Sequence, residues 1–229
     1  MVDAVREDLL RLHAALMLFN HYIFDVDGTL VDSGGGIIYA RTAALNSVGI
    51  DTDPSKLKEV AFGPSMREIL ATLIPNEEKR SYAETTFRSA YDTTGILLSQ
   101  VHPGIEDLLF RIRHAGGTIS FLSANNKVVI SRLLRMHRLM NPNELVMTSQ
   151  GLTSHLSKAE LLKQHVHQIG TVSGVVVIGD TEADFHAAEV TGVKFVGAGY
   201  GFRGVQFLRD VGARVVADSP SHLTRLLFG

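Results

Sequence analysis

Short apolar runs recur along the chain at Tyr22–Val26, Thr118–Leu122, Leu145–Thr148, Val175–Ile178, Val193–Val196 and Arg214–Val216, and most are separated by helical patterns. Such alternation requires crossover connections, and crossovers between neighbouring strands produce a parallel sheet covered by helices, an α/β fold. Ligands of such sheets bind at the carboxyl ends of the strands. Asp25, Ser123 and Asp180 all fall at those ends, so the topology allows them to meet despite their separation in sequence.

Far more chain lies between the first two runs than one crossover needs, and residues 34–98 read as several helices without strands. This predicts an inserted helical domain over 34–98, with 21–33 and 99–229 forming the α/β core. Gly34-Gly35-Gly36 on the way out and His102-Pro103-Gly104 on the way back are candidate hinges. Their bland alternatives are a flexible glycine loop and a proline at the first position of a helix. At the N-terminus, Leu9, Leu10, Leu12, Leu16 and Phe19 recur near helical spacing, which predicts an amphipathic helix within a helical extension over 1–20. Its apolar stretch is too short to span a bilayer, and acids precede it without a small-residue cleavage site after it. A weak expectation of a cytoplasmic location follows.

The 229 residues suffice for a substantial core. A formal charge of −2 gives no broad attraction to nucleic acid or to an anionic membrane, so a small-molecule partner is expected, with the chain a monomer or homodimer. The absence of cysteine excludes disulfides, thiolate catalysis and thiolate-bound zinc.

The most informative stretch for function is Tyr22-Ile23-Phe24-Asp25-Val26-Asp27-Gly28-Thr29-Leu30-Val31-Asp32. Ending a buried strand on Asp25 and Asp27 places two acids at one spot. Like charges that close persist at neutral pH only beside a hard cation or with a shared proton. Magnesium is the economical choice. Gly28 permits a turn and Thr29 offers a hydroxyl to the carboxylates. An ordinary Asp/Gly turn after a strand explains the same five residues taken alone.

Three further segments follow in order: Ile119-Ser120-Phe121-Leu122-Ser123, Ser157-Lys158-Ala159-Glu160-Leu161-Leu162, and Val176-Val177-Ile178-Gly179-Asp180-Thr181-Glu182-Ala183-Asp184. With Phe24 to Ser33 they resemble the four motifs of the haloacid dehalogenase (HAD) superfamily. From about His21 onward the chain is most similar to that superfamily's phosphoglycolate phosphatase-like branch. The resemblance implies a HAD-like Rossmannoid parallel sheet with an inserted helical cap. It also implies a phosphatase in which Asp25 is the nucleophile, forming an aspartyl phosphate, and Asp27 the acid/base partner. The acid two residues beyond the nucleophile is what the superfamily's phosphatases and phosphomutases have and its dehalogenases lack.

Within this reading Mg2+ is held by Asp25, Asp180 and the backbone carbonyl of Asp27, with Asp184 close by or acting through water. A helix N-terminus capped by Thr181 with Asp184 three positions on accounts for two of these residues and leaves Asp180 unexplained. Ser123 and the amides of Ala124 and Asn125 are the expected phosphate-binding groups, unless Ser123 simply caps the following helix. Lys158 matches the superfamily's phosphate-binding lysine, although the usual Lys-Pro pair is Lys-Ala here. Lys127 and Lys163 compete for the role, and solvent exposure is the plain alternative.

Ala61 to Arg67 resembles the family's specificity loop, with Arg67 the candidate for an anionic group on the substrate. A surface arginine is equally compatible. Met66 and Phe87 read as cap core. The triple glycine lacks the Gly-Lys-Ser/Thr of a nucleotide loop. His165 and His167 stand two apart on a helix and point away from one another, which counts against a transition-metal site with His155. The leading expectation is a magnesium-dependent phosphatase acting on a small phosphorylated metabolite such as phosphoglycolate. A phosphomutase resembling the β-phosphoglucomutase branch is the alternative, and a non-catalytic phosphate-binding protein the third reading.

Overall fold

A computed structural model describes residues 18–51, 53, 66–150 and 156–229, without the side chains of 66–68, 149 and 150. The chain separates into two compact units. One takes the described residues up to Leu30 together with Val101–Gly229, and the other is Val31–Gln100.

The first unit is built on six parallel strands in the order β5-β4-β1-β6-β7-β8. These are β1 (His21–Phe24), β4 (Thr118–Asn126), β5 (Leu145–Gln150), β6 (Val175–Gly179), β7 (Lys194–Ala198) and β8 (Val216–Ala217). β1 lies at the centre, with Phe24 opposite Phe121 of β4 and Ile178 of β6. Tyr22, Ile23, Phe24 and all of β6 are buried, as expected of parallel strands covered on both faces. Strand alternation sends Ile23 to one face, where it packs with Leu122, Leu162, Val175, Val177 and Ala187.

Two helices bear directly on that face. The first, Lys158–Ile169, starts with a capping box: Ser157 Oγ accepts from the Glu160 amide, and the Glu160 carboxylate accepts from the Ser157 amide. The second, Glu182–Thr191, ends at Gly192 in the left-handed conformation. The remaining helices of this unit are Ile105–His114, Lys127–Met136, Gly204–Asp210 and Pro220–Phe228.

Helices of the second unit are α1 (Gly34–Asn46), α2 (Met66–Leu73) and α3 (Glu77–Thr93), followed by a 3₁₀ turn at Gly95–Leu98. The unit has its own apolar centre of Ala44, Leu45, Leu70, Ile74 and Ala83, with Phe87 packed against it. Each fully buried Leu or Ile of this kind contributes about 1.5–3 kcal/mol. In chain order the core helices are α4 (Ile105–His114), α5 (Lys127–Met136), α6 (Lys158–Ile169), α7 (Glu182–Thr191), α8 (Gly204–Asp210) and α9 (Pro220–Phe228). Short strands β2 (Val31–Asp32) and β3 (Gln100–Val101) pair as a separate two-stranded sheet.

Several local expectations are corrected. Gly34-Gly35-Gly36 is the first turn of α1 and not a flexible loop. Gly36 is needed there for close packing, because a side chain would run into the carbonyl of Gly95. Pro103 does not begin a helix: α4 starts at Ile105, capped by Gly104 at φ 93°. Ser123 does not cap α5, because β4 continues to Asn126, which pairs with Gln150 and caps the helix by accepting from the Val128 amide. The expected N-terminal helix lies outside the described residues except at residues 18–20, which are irregular. Among the described residues no helix is long and apolar enough to cross a membrane.

Candidate active site

Asp25 directly follows β1, its amide donating to Ile178 O at 2.8 Å in a last step of sheet pairing with β6. Asp180 directly follows β6, and Asp184 lies on the first turn of α7. One carboxylate oxygen from each of Asp25, Asp180 and Asp184 lies within 4.8 Å of the others. All three side chains are buried, Asp180 and Asp184 completely. The adjacent strand ends and the start of α7 therefore collect three acids that the sequence scatters over 160 positions.

Lys158, the first residue of α6, reaches this cluster through Nζ. It donates to Asp25 Oδ1 at 2.6 Å and to Asp184 Oδ1 at 2.7 Å, with the lysine only 8% exposed. Of the three lysines considered, this is the one whose contact with Asp25 α6 provides. Burial pulls the ammonium toward neutrality, but Asp184 and then Asp25 outweigh it and hold Lys158 charged. Asp184 makes the expected helix-cap connection and a further one to the lysine. Its Oδ2 accepts from the Thr181 hydroxyl at 2.5 Å and amide at 3.2 Å, while Oδ1 faces the lysine.

One ammonium does not balance three carboxylates. Burial first, and then Asp184, push Asp25 well above the ordinary carboxylate range against the pull of Lys158. The same two causes raise Asp180 to about 7. A convergent set of buried carboxylate oxygens in this state fits a hard, oxygen-seeking divalent cation, which would supply the missing positive charge. The residues present thus fit the magnesium that the sequence suggests. Asp27 stands outside the three-acid group, in a turn closed by the Leu30 amide donating to Val26 O at 3.0 Å.

Ser123 is 1% exposed at the end of the sheet, and its Oγ accepts from the Asn125 amide at 3.1 Å. Asn125 Oδ1 accepts from the Asn126 amide at 2.8 Å, while Ala124 is exposed. Arg67 lies on α2, and its side chain is outside those described.

Sequence reasoning missed the loop after β7. Phe202 donates its amide to Asp180 Oδ2 at 2.8 Å, Thr29 Oγ1 donates to Asp180 Oδ1 at 3.3 Å, and Tyr200 donates its hydroxyl to Thr29 O at 3.0 Å. A Cβ on either Gly28 or Gly201 would run into the Asp180 side chain, so both glycines permit the approach. The available signal was the glycine-rich run Gly199-Tyr200-Gly201-Phe202-Arg203-Gly204 at a strand's carboxyl end.

A haloacid dehalogenase-like hydrolase family model matches residues 22–198, a span that contains the entire acid and lysine cluster. The chain belongs to this family. It is accordingly an enzyme, a phosphatase of the HAD type. Its similarity extends to phosphoglycolate phosphatase of Synechococcus elongatus, 30% identical over 206 residues, covering 88% of this chain and 93% of that protein. It is also similar to tyrosine-protein kinase PtkA of Mycobacterium tuberculosis, 28% identical over 198 residues, covering 86% and 68% respectively. Among solved structures, a predicted phosphatase from Clostridium acetobutylicum superposes with a TM-score of 0.81 at 25% identity, covering 91% of this chain and 98% of that one.

Proposed function

We propose that this HAD phosphatase hydrolyses a small phosphate monoester through an aspartyl phosphate on Asp25, with Mg2+ as its cation. The buried, charge-unbalanced cluster of Asp25, Asp180 and Asp184 around Lys158 supports the reading best. In this reading Asp25 attacks phosphorus while Asp27 protonates the departing ester oxygen. Water then attacks the acyl phosphate as Asp27 accepts its proton, releasing inorganic phosphate and restoring Asp25. Lys158 holds Asp25 in place and faces the transferring oxygens together with Ser123 and the amides of Ala124 and Asn125.

Asp25, Asp180 and the Asp27 carbonyl would hold the cation, with Asp184 beside it. Bound there, Mg2+ would neutralise the carboxylates and draw charge from the phosphoryl oxygens. The inserted unit, with Arg67 reading an anionic group, is proposed to select the ester, phosphoglycolate being the first candidate because relatives carry that name. A monomer or homodimer and a cytoplasmic location belong to the same proposal.

The likeness to a tyrosine kinase favours one second reading, in which the phosphoryl group passes from Asp25 to a hydroxyl acceptor other than water. A phosphomutase is the small-molecule form of that chemistry. Phosphate release from p-nitrophenyl phosphate and a panel of esters, with Mg2+ or EDTA, tests the choice. Magnesium-dependent release that disappears in Asp25→Asn supports hydrolysis. Phosphotransfer to sugar phosphate or tyrosine peptide without matching phosphate release would support the second reading.

A further inference from the structure

Strand β7 is hydrogen-bonded to β6 and β8 and not to β1, yet the loop that follows it touches the turn after β1. The loop tightens through the Gly201 amide donating to Ala198 O at 3.0 Å, and Gly199 is tied to β8 by its amide donating to Ala217 O at 2.7 Å. From this anchored position the loop reaches over the end of β6 to Asp180 and Thr29. Phe202 donates to one oxygen of Asp180, and Thr29 donates to the other. Tyr200 in turn donates to the carbonyl of Thr29, with the His102 ring packed edge-on against it, the ring centres 5.0 Å apart. A carboxylate that accepts one fixed bond on each oxygen has its plane determined. It also retains lone pairs on both oxygens for a cation.

We propose that Tyr200 and the Phe202 amide form a clamp that orients Asp180 for the divalent cation, with Tyr200 a positioning residue acting through Thr29. The clamp rests on the magnesium reading given above. Groups that hold metal ligands in place tune the affinity and the activity of the site. Their loss typically weakens metal binding about 10- to 100-fold.

Mn2+ binding to the metal-free full chain, measured by titration calorimetry or by the resonance of free Mn2+, tests the clamp without relying on turnover. Tyr200→Phe is expected to raise the Mn2+ dissociation constant about ten-fold and to shift the Mg2+ needed for half-maximal phosphate release by a similar factor. Turnover at saturating Mg2+ stays within a few-fold of the wild type. Thr29→Val should weaken binding as well, and the double variant should weaken it no further than the stronger single, because the two residues act in series. Wild-type Mn2+ affinity in Tyr200→Phe, with only a lowered melting temperature, would overturn the clamp and leave the magnesium reading intact. No Mn2+ binding by the wild type would overturn both.

Discussion

The same three elements, β1, β4 and α6, carry a polar cluster at each end of the sheet, the histidine one with His21 half-buried, and the two differ in charge. At the carboxyl ends stand Asp25 and Ser123, with Lys158 of α6 and the acids of the β6–α7 turn. At the opposite ends, His21 Nε2 lies 3.0 Å from Ser120 Oγ and 3.2 Å from His165 Nε2, which lies 3.3 Å from the same hydroxyl. The histidine cluster consists of neutral groups, because burial, and then His165, lower His21 to about 4. Burial likewise lowers His165. The acid cluster sets one ammonium against three carboxylates, and Asp25 and Asp180 are held above the ordinary carboxylate range. Burial alone therefore does not mark a reactive site.

The largest effect expected is on turnover. Asp25→Asn should lower phosphate release at least about a thousand-fold, as loss of a covalent nucleophile does. Its melting temperature in EDTA should equal or exceed the wild type's, because the substitution removes a buried charge that Asp180 and Asp184 oppose. A lower melting temperature in EDTA would show that the cluster is not strained without its cation.

Lys158→Met should lower both quantities. It leaves buried carboxylates without their ammonium, a change that costs about 3–5 kcal/mol in comparable pairs. Thermal denaturation and phosphate release on the same preparation would measure this. At the other end, His165→Ala should lose about 1–3 kcal/mol of stability by denaturant titration while turnover stays within two-fold. An equal loss of turnover there would break the contrast between the clusters.

The smallest effects separate the clusters by the sign of their pH dependence. His21 is held below its unfolded value, so between about 6.5 and 4 the unfolded chain binds more protons, and stability falls as pH falls. Asp180 is held above its unfolded value of 3.8, at about 7, so between these values the folded chain binds more protons. Its contribution therefore falls as pH rises. In EDTA the two slopes oppose each other. Excess Mg2+ should remove the acid-cluster slope, and His21→Gln should reduce the histidine slope to the part that His165 contributes, in melting temperatures recorded from pH 4 to 7.5.

How legible these features are in the sequence depends on how local their signals are. The apolar runs locate the sheet to within a few residues, and the largest difference is β4, whose pairing with β5 carries it four residues past Leu122. β8 is displaced to Val216–Ala217 because only two of its residues pair with β7. The acids and Lys158 are legible because each belongs to a short motif. His21, its partner His165, and Tyr200 belong to none, and the partner of Tyr200, Thr29, is in a motif that does not announce the contact. Each pair is more than 140 residues apart, and its contact follows from strand order and side-chain reach. For Ser123 the alternative of helix capping fails, since the helix that follows begins three residues too late for it.

The role proposed for the charge-unbalanced cluster is to make Asp25 a phosphoryl acceptor. Acid quenching during turnover of a good ester substrate with Mg2+, followed by peptide mass spectrometry, tests it most directly. The account predicts one added phosphoryl group on the peptide carrying Asp25, localised to that residue and absent in EDTA and in Asp25→Asn. Undiminished turnover in Asp25→Asn, or a phosphoryl group trapped on another residue, would contradict it.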